Sequence, residues 1–138
     1  MAEFTGGCLC GKVRYNANAD PIFTGICHCT DCQKFTGSAF AAVVAVPTAA
    51  VSVTGTLKTF TKNGDSGQPI HRQFCPECGA GILDEADLMP GVAMLNIGSL
   101  DDPSQITPGT QVYCSSAQSW AVLGGDMAKF DKMPGPPG

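Results

Sequence analysis

Hydrophobic residues along this chain come in short bursts separated by turn-forming clusters, not in long stretches of helical period. Runs rich in β-branched and aromatic residues recur at GKVRY (11–15), IFTGICHC (22–29), FAAVVAV (40–46), VSVTG (51–55), TLKTFTK (56–62), IHRQF (70–74), VAMLNIGSL (92–100) and TQVYC (110–114). Between them stand NGDSG (63–67), DLMPG (87–91) and DDPSQ (101–105), whose Gly, Pro, Asn and Asp residues favour chain reversal. Many short runs punctuated in this way predict a mostly β fold of short antiparallel strands with little helix. Helical turns are expected only at DCQKFTGS (31–38) and DMAKF (126–130). No repeat or linker interrupts the pattern, so residues 1–132 read as a single domain and the Pro/Gly-rich MPGPPG (133–138) as a flexible tail.

Composition narrows this picture. A chain of 138 residues with 43% apolar residues can bury a sizeable core and does not need staples merely to fold. Its formal charge is −4, and its eight basic residues are dispersed, so there is no stripe to displace counterions from a phosphate backbone and no nucleic-acid partner is expected. The longest apolar run, AFAAVVAVP (39–47), is far short of a membrane span, and MAEFTGGCLC (1–10) lacks the basic and apolar regions of a signal peptide. A cytoplasmic protein without a membrane partner is the expectation. In a reducing compartment, clustered cysteines more often bind metal or do chemistry than form disulfides.

Seven of the eight cysteines fall into three tight groups: Cys8 and Cys10, then CHCTDC with Cys27, Cys29 and Cys32, then CPECG with Cys75 and Cys78. In an extended segment a C-x-C pair puts both sulfurs on one face, which suits chelation of a single ion. In CPECG, Pro shapes the turn and the Gly after the second Cys is free to take positive φ, the makings of a zinc knuckle. The two pairs together supply four thiolates, a closed structural zinc site that ties the first strand to the middle of the chain. The triplet is left with three ligands, the count that keeps one position of a catalytic zinc open. Two zinc ions per chain are therefore expected; filling both sites would bring the charge to about −7. Cys114, in the apolar run VYC, reads as a small buried hydrophobe, and His71 as an ordinary surface or core residue. His28 points away from its two neighbours in an extended stretch; completion of the triplet by His28 or Cys114 is the competing reading.

GCLCGKVRY, CHCTDCQKFTGSAF, FCPECGAGI, the GSLDDP turn (98–103) and Trp120, taken in this order, resemble the glutathione-dependent formaldehyde-activating enzyme family, which also includes centromere protein V. The resemblance runs from about Thr5 to Trp120. It implies a Mss4-like β-tent fold with two zinc ions. Cys8, Cys10, Cys75 and Cys78 match the family's structural ligands; Cys27, Cys29 and Cys32 match its catalytic ones, with Ser38 in the Gly-Ser step that follows. It also implies carbon–sulfur lyase chemistry on a thiol–aldehyde adduct, with glutathione the best-known thiol. One departure is visible: Gln111 stands where that family usually has a His, and Ser115 and Ser116 where a basic residue is usual.

A thiol that enters the open position of such a site would arrive as thiolate, ready to add to an aldehyde carbon, or would leave as one. Asp31 and His28 are the candidates for moving the proton, and Lys12, Arg14 or Lys34 for meeting an anionic thiol. Two readings compete: a zinc-stapled binding module without catalysis, and a methionine sulfoxide reductase of the B type, suggested by the segment around Cys114. The His-rich segment expected after that enzyme's CxxC is absent from GAGILDEADL.

Overall fold

Two sheets, of three and eight strands, carry almost all of the regular structure. A computed structural model describes residues 2–134. In chain order the strands are β1 (Glu3–Gly7), β2 (Arg14–Asn18), β3 (Phe23–Cys27), β4 (Ala41–Pro47), β5 (Val51–Thr54), β6 (Lys58–Asn63), β7 (Pro69–Phe74), β8 (Gly81–Ala86), β9 (Val92–Asn96), β10 (Thr110–Val112) and β11 (Ala128–Lys129). The α-helix among the described residues, α1 (Thr30–Thr36), lies between β3 and β4. The mostly β expectation is met.

The small sheet is antiparallel in the order β1-β2-β5. The large one runs β11-β10-β3-β4-β9-β8-β7-β6, antiparallel except that β10 lies parallel to both β3 and β11. β4 sits between β3 and β9, and its run AAVVAVP buries Ala41, Val44, Ala45 and Val46 on both faces, as the apolar composition of a central strand dictates. In β1 and β2 alternate residues turn inward, so Phe4, Tyr15 and Ala17 join Val44, Val46, Ile82 and Leu95 in one core cluster shared by the two sheets. Polar ties reinforce this packing: the Tyr15 hydroxyl lies 2.7 Å from Ser99 Oγ, and Arg14 Nη1 donates to Asp101 Oδ1 at 2.8 Å.

Four details differ from the sequence expectation. The strand expected at 11–15 starts later, at Arg14, because residues 8–11 turn around the first cysteine pair. DMAKF forms no helical turn; Ala128 and Lys129 pair alongside β10, where Ala128 N–H donates to Gly109 O at 3.2 Å and Phe130 N–H to Gln111 O at 2.9 Å. The run at 92–100 is strand only to Asn96 and then a single 3₁₀ turn, Ile97–Ser99. Strands β1 and β8 were not expected. In β8 the charges of Asp84 and Glu85 mask three consecutive buried residues, Ile82 to Asp84. Of the tail 133–138, residues 135–138 lie outside the described residues.

Candidate metal centres and the three-cysteine site

Local backbone geometry collects the first group of sulfurs. After β1 the chain doubles back, with Cys8 N–H bonded to Val13 O at 3.0 Å, and Val13 N–H points at Cys8 Sγ at 3.2 Å. After β7 the CPECG knuckle closes through Gly79 N–H to Cys75 O at 2.8 Å, with Gly79 at φ 76°, a conformation a side chain would strain. Glu77 N–H faces Cys75 Sγ at 3.4 Å. The four sulfurs of Cys8, Cys10, Cys75 and Cys78 lie within 4.8 Å of one another, with Cys8 to Cys10 at 3.6 Å and Cys10 to Cys75 at 3.8 Å. Bonds of about 2.3 Å to a tetrahedral zinc would set sulfurs about 3.8 Å apart. The donor set therefore fits a closed four-thiolate ion. It bridges the β1–β2 connection of the small sheet and the β7–β8 connection of the large one.

The triplet is built where a strand hands over to a helix. Cys27 ends β3, Cys29 is the N-cap of α1, and Cys32 lies in its first turn. A cysteine does the work usually given to Ser or Asp: its sulfur accepts from Cys32 N–H at 3.3 Å. α1 ends at Gly37, φ 66°, whose N–H bonds Gln33 O at 2.9 Å. The sulfurs of Cys27, Cys29 and Cys32 lie within 4.8 Å of one another, and no fourth His, Cys or carboxylate joins them among the described residues. Hydrogen bonds from the Cys27 and Cys32 thiols pull the Cys29 pKa far down; Cys27 and Cys29 together drive Cys32 up, and Cys29 raises Cys27 to about 11 against an opposing pull from Cys32. Three thiols this close cannot all ionise unless a cation joins them, and the set fits a divalent metal.

The remaining sequence candidates fall into place around these clusters. His28 joins neither. It is 1% exposed, its Nε2 lies 2.9 Å from Gln111 Oε1, Phe40 packs edge-on to its ring, and its Nδ1 has no partner among the described residues. Gln111 is itself buried, so the position where the family usually has a His supports His28 from β10. Cys114 is outside both clusters and half-buried, its thiol donating to Gln111 O at 3.6 Å. His71 bridges Thr61 at 2.9 Å and Asp87 at 2.8 Å. Lys12 and Arg14 are paired with Glu77 and Asp101, and Lys34 lies in the last turn of α1. Asp31 is held 2.8 Å from Lys62 Nζ.

Two residues at the triplet escaped the sequence reading. The first is Arg72, 7% exposed, whose Nη1 and Nη2 both lie 3.9 Å from Cys32 Sγ. Its signal was present: Ile70, Arg72 and Phe74 share one strand face, so a charge sits between two apolar residues three positions before Cys75. The second is Tyr113, φ 53°, the non-glycine residue with positive φ among the described residues. Its hydroxyl donates to Asp65 at 3.5 Å, and its pKa is raised by burial and by the nearby charges of Asp65, Cys27 and Cys29. Beside the triplet, Gln33, Gly37, Ser38, Ala39, Gln118 and Trp120 line an open groove of about 450 Å³.

A mostly β protein built around one closed and one open cluster of metal-spaced cysteines is the class that fold and site define. The family model described as glutathione-dependent formaldehyde-activating enzyme matches residues 3–116, and the chain belongs to that family. Three fungal relatives are named, provisionally, as glutathione-dependent formaldehyde-activating enzymes. That of Emericella nidulans is 37% identical over 91 residues, 62% of this chain and 46% of its own length. That of Talaromyces marneffei is 35% identical over 85 residues, 58% of this chain and 45% of its own. That of Penicillium rubens is 33% identical over 122 residues, 83% and 63%. The chain thus spans about half to two-thirds of the length of these relatives. The crystal structure of a Rhodobacter sphaeroides protein shares the fold, with TM-score 0.59 at 18% identity over 75% of this chain and 91% of that one.

Proposed function

We propose that this chain is a zinc-dependent enzyme of the carbon–sulfur lyase type that forms or breaks the bond between a thiol sulfur and an aldehyde carbon, with an S-hydroxymethylglutathione-like adduct as its substrate. The observation that carries this reading is the contrast between the clusters, four sulfurs against three with no fourth His, Cys or carboxylate joining them among the described residues. Cys8, Cys10, Cys75 and Cys78 would hold a structural zinc, and Cys27, Cys29 and Cys32 a catalytic one. When bound in a three-thiolate site, zinc supplies Lewis acidity that favours the thiolate form of an incoming thiol.

The chain's own residues then position and protect. The turn from β3 into α1 holds the three donors, and Gln33 fixes that turn by donating to His28 O at 2.7 Å and Ser116 O at 3.0 Å. Adduct formation moves the thiol's proton to the new hydroxyl oxygen; Asp31, paired with Lys62, and the Tyr113 hydroxyl, bonded to Asp65, are the groups this reading assigns to that transfer. The names of the fungal relatives support glutathione as the thiol and formaldehyde as the aldehyde.

The test combines metal analysis with a panel of thiols and aldehydes monitored for adduct formation and decay. About two zinc ions per chain and turnover of at least one adduct are expected. Cys29→Ala should abolish turnover while leaving the four-cysteine zinc in place. A fully loaded protein that turns over no adduct in the panel would return the chain to the binding-module reading.

A further inference from the structure

We propose that Arg72 is a positioning residue of the three-cysteine site: its buried guanidinium offsets the charge on Cys32, so that a metal is retained there and an anionic fourth sulfur can be admitted. The part concerning the fourth sulfur rests on the function proposed above; the part concerning metal retention does not.

The geometry of the guanidinium carries the argument. An arginine remains charged under all ordinary conditions, and burying it demands compensation. Asp84 on the neighbouring strand β8 is the obvious partner, yet the strongest arginine–carboxylate pairs are bidentate. Here only Nη1 reaches Asp84, Oδ2 at 3.5 Å, while Oδ1 is buried with no partner among the described residues. Both terminal nitrogens instead face Cys32 Sγ, each at 3.9 Å. Phe35 of α1 lies under the guanidinium at 5.4 Å from its ring centre and fixes its plane. The fork is thus oriented by the sulfur, with the carboxylate as a lateral support. Three thiolates around a divalent ion leave one net negative charge, and a fourth thiolate would make two in a site whose third sulfur, on Cys32, is buried. A fixed positive charge against one ligand lowers that cost.

The experiment uses the cobalt-loaded protein, whose sulfur-to-cobalt charge-transfer bands report each cluster, with 2-mercaptoethanol as the thiol. The informative variant is R72M/D84N, which removes both halves of the buried pair and leaves no charge stranded. Its three-cysteine site should bind Co²⁺ about 10- to 100-fold more weakly, the usual scale for losing a supporting contact to a ligand, while the four-cysteine site is unchanged. It should also need about 10-fold more thiol to perturb the spectrum, and R72K should fall between the two. Wild-type affinity for both cobalt and thiol in the double variant would overturn the proposal. If the four-cysteine signal is lost, signalling misfolding, R72K decides: an ammonium cannot keep both contacts, so unchanged affinities there also overturn it. Should the wild-type spectrum ignore thiol altogether, the open-position reading fails, and the cobalt affinities still test Arg72.

Discussion

Arg14 and Asp101 show how one ion pair ties the small sheet to the loop after β9. Two guanidinium contacts and a 2.8 Å bond from Thr5 hold the Asp101 carboxyl down to about 2. Because its folded value lies below the ordinary 3.8, the contribution of the pair is whole above about pH 4 and is lost as pH falls through about 2. Urea titrations between pH 2 and pH 5 should therefore find Asp101→Asn less stable than wild type at the upper end, the gap closing toward the lower. A constant gap across that window would mean that the carboxylate's charge contributes nothing. At this scale the sequence was most legible where chemistry is local. The three cysteine motifs announce themselves by spacing alone, whereas Arg72 reaches Cys32 only once β7 packs against α1, a relation between residues 40 apart. The role of Gln111 was hidden for the same reason, since its partner His28 lies 83 residues away.

Among the elements, α1 is the clearest link between chain and site. It has seven residues, too short to persist alone, so its position depends on ties at both ends. Gln33 provides several: its amide bonds His28 O and Ser116 O, and its carbonyl accepts from Gln118 at 2.8 Å. Gln33→Ala should cost about 1–2 kcal/mol in urea unfolding and raise the hydrogen-exchange rate of residues 28–33 and 114–118. An unchanged exchange pattern would show that packing alone seats the helix. The helix was readable from DCQKFTGS because the polar run ends in Gly37. Strand β8 was not, since Asp84 and Glu85 break the expected alternation, and their partners Arg72 and Gln73 on β7 and Thr48 after β4 are distant in the chain. The misread DMAKF illustrates the converse: Met, Ala and Lys favour helix locally, and pairing beside β10 overrides that preference.

For the whole molecule, the two cysteine clusters carry different burdens. The four-cysteine cluster joins the sheets, so losing a ligand there should loosen both. On the proposed two-zinc assignment, Cys78→Ala is expected to lower Tm by on the order of 10 °C or more and to lower the zinc content by one ion, and Cys29→Ala to lower it equally with a much smaller shift. Equal Tm losses, followed by calorimetry alongside metal analysis, would refute this division. The β6 end of the eight-stranded sheet also reaches back toward its other side. The turn after β6 contacts Tyr113 beyond β10, and Lys62 contacts Asp31 on α1. No sequence pattern foretold that meeting, which depends on the accumulated twist of strands distant in the chain.

Sixty-five residues separate Cys10 from Cys75, whereas Cys27, Cys29 and Cys32 are near neighbours. On a growing chain the compact trio can therefore capture an ion long before the clamp between the sheets has its second half. On the proposed assignment of a zinc to each cluster, the two would fill in the reverse order of their importance to the fold, and the earliest thiols made would wait longest, unprotected, for their partners.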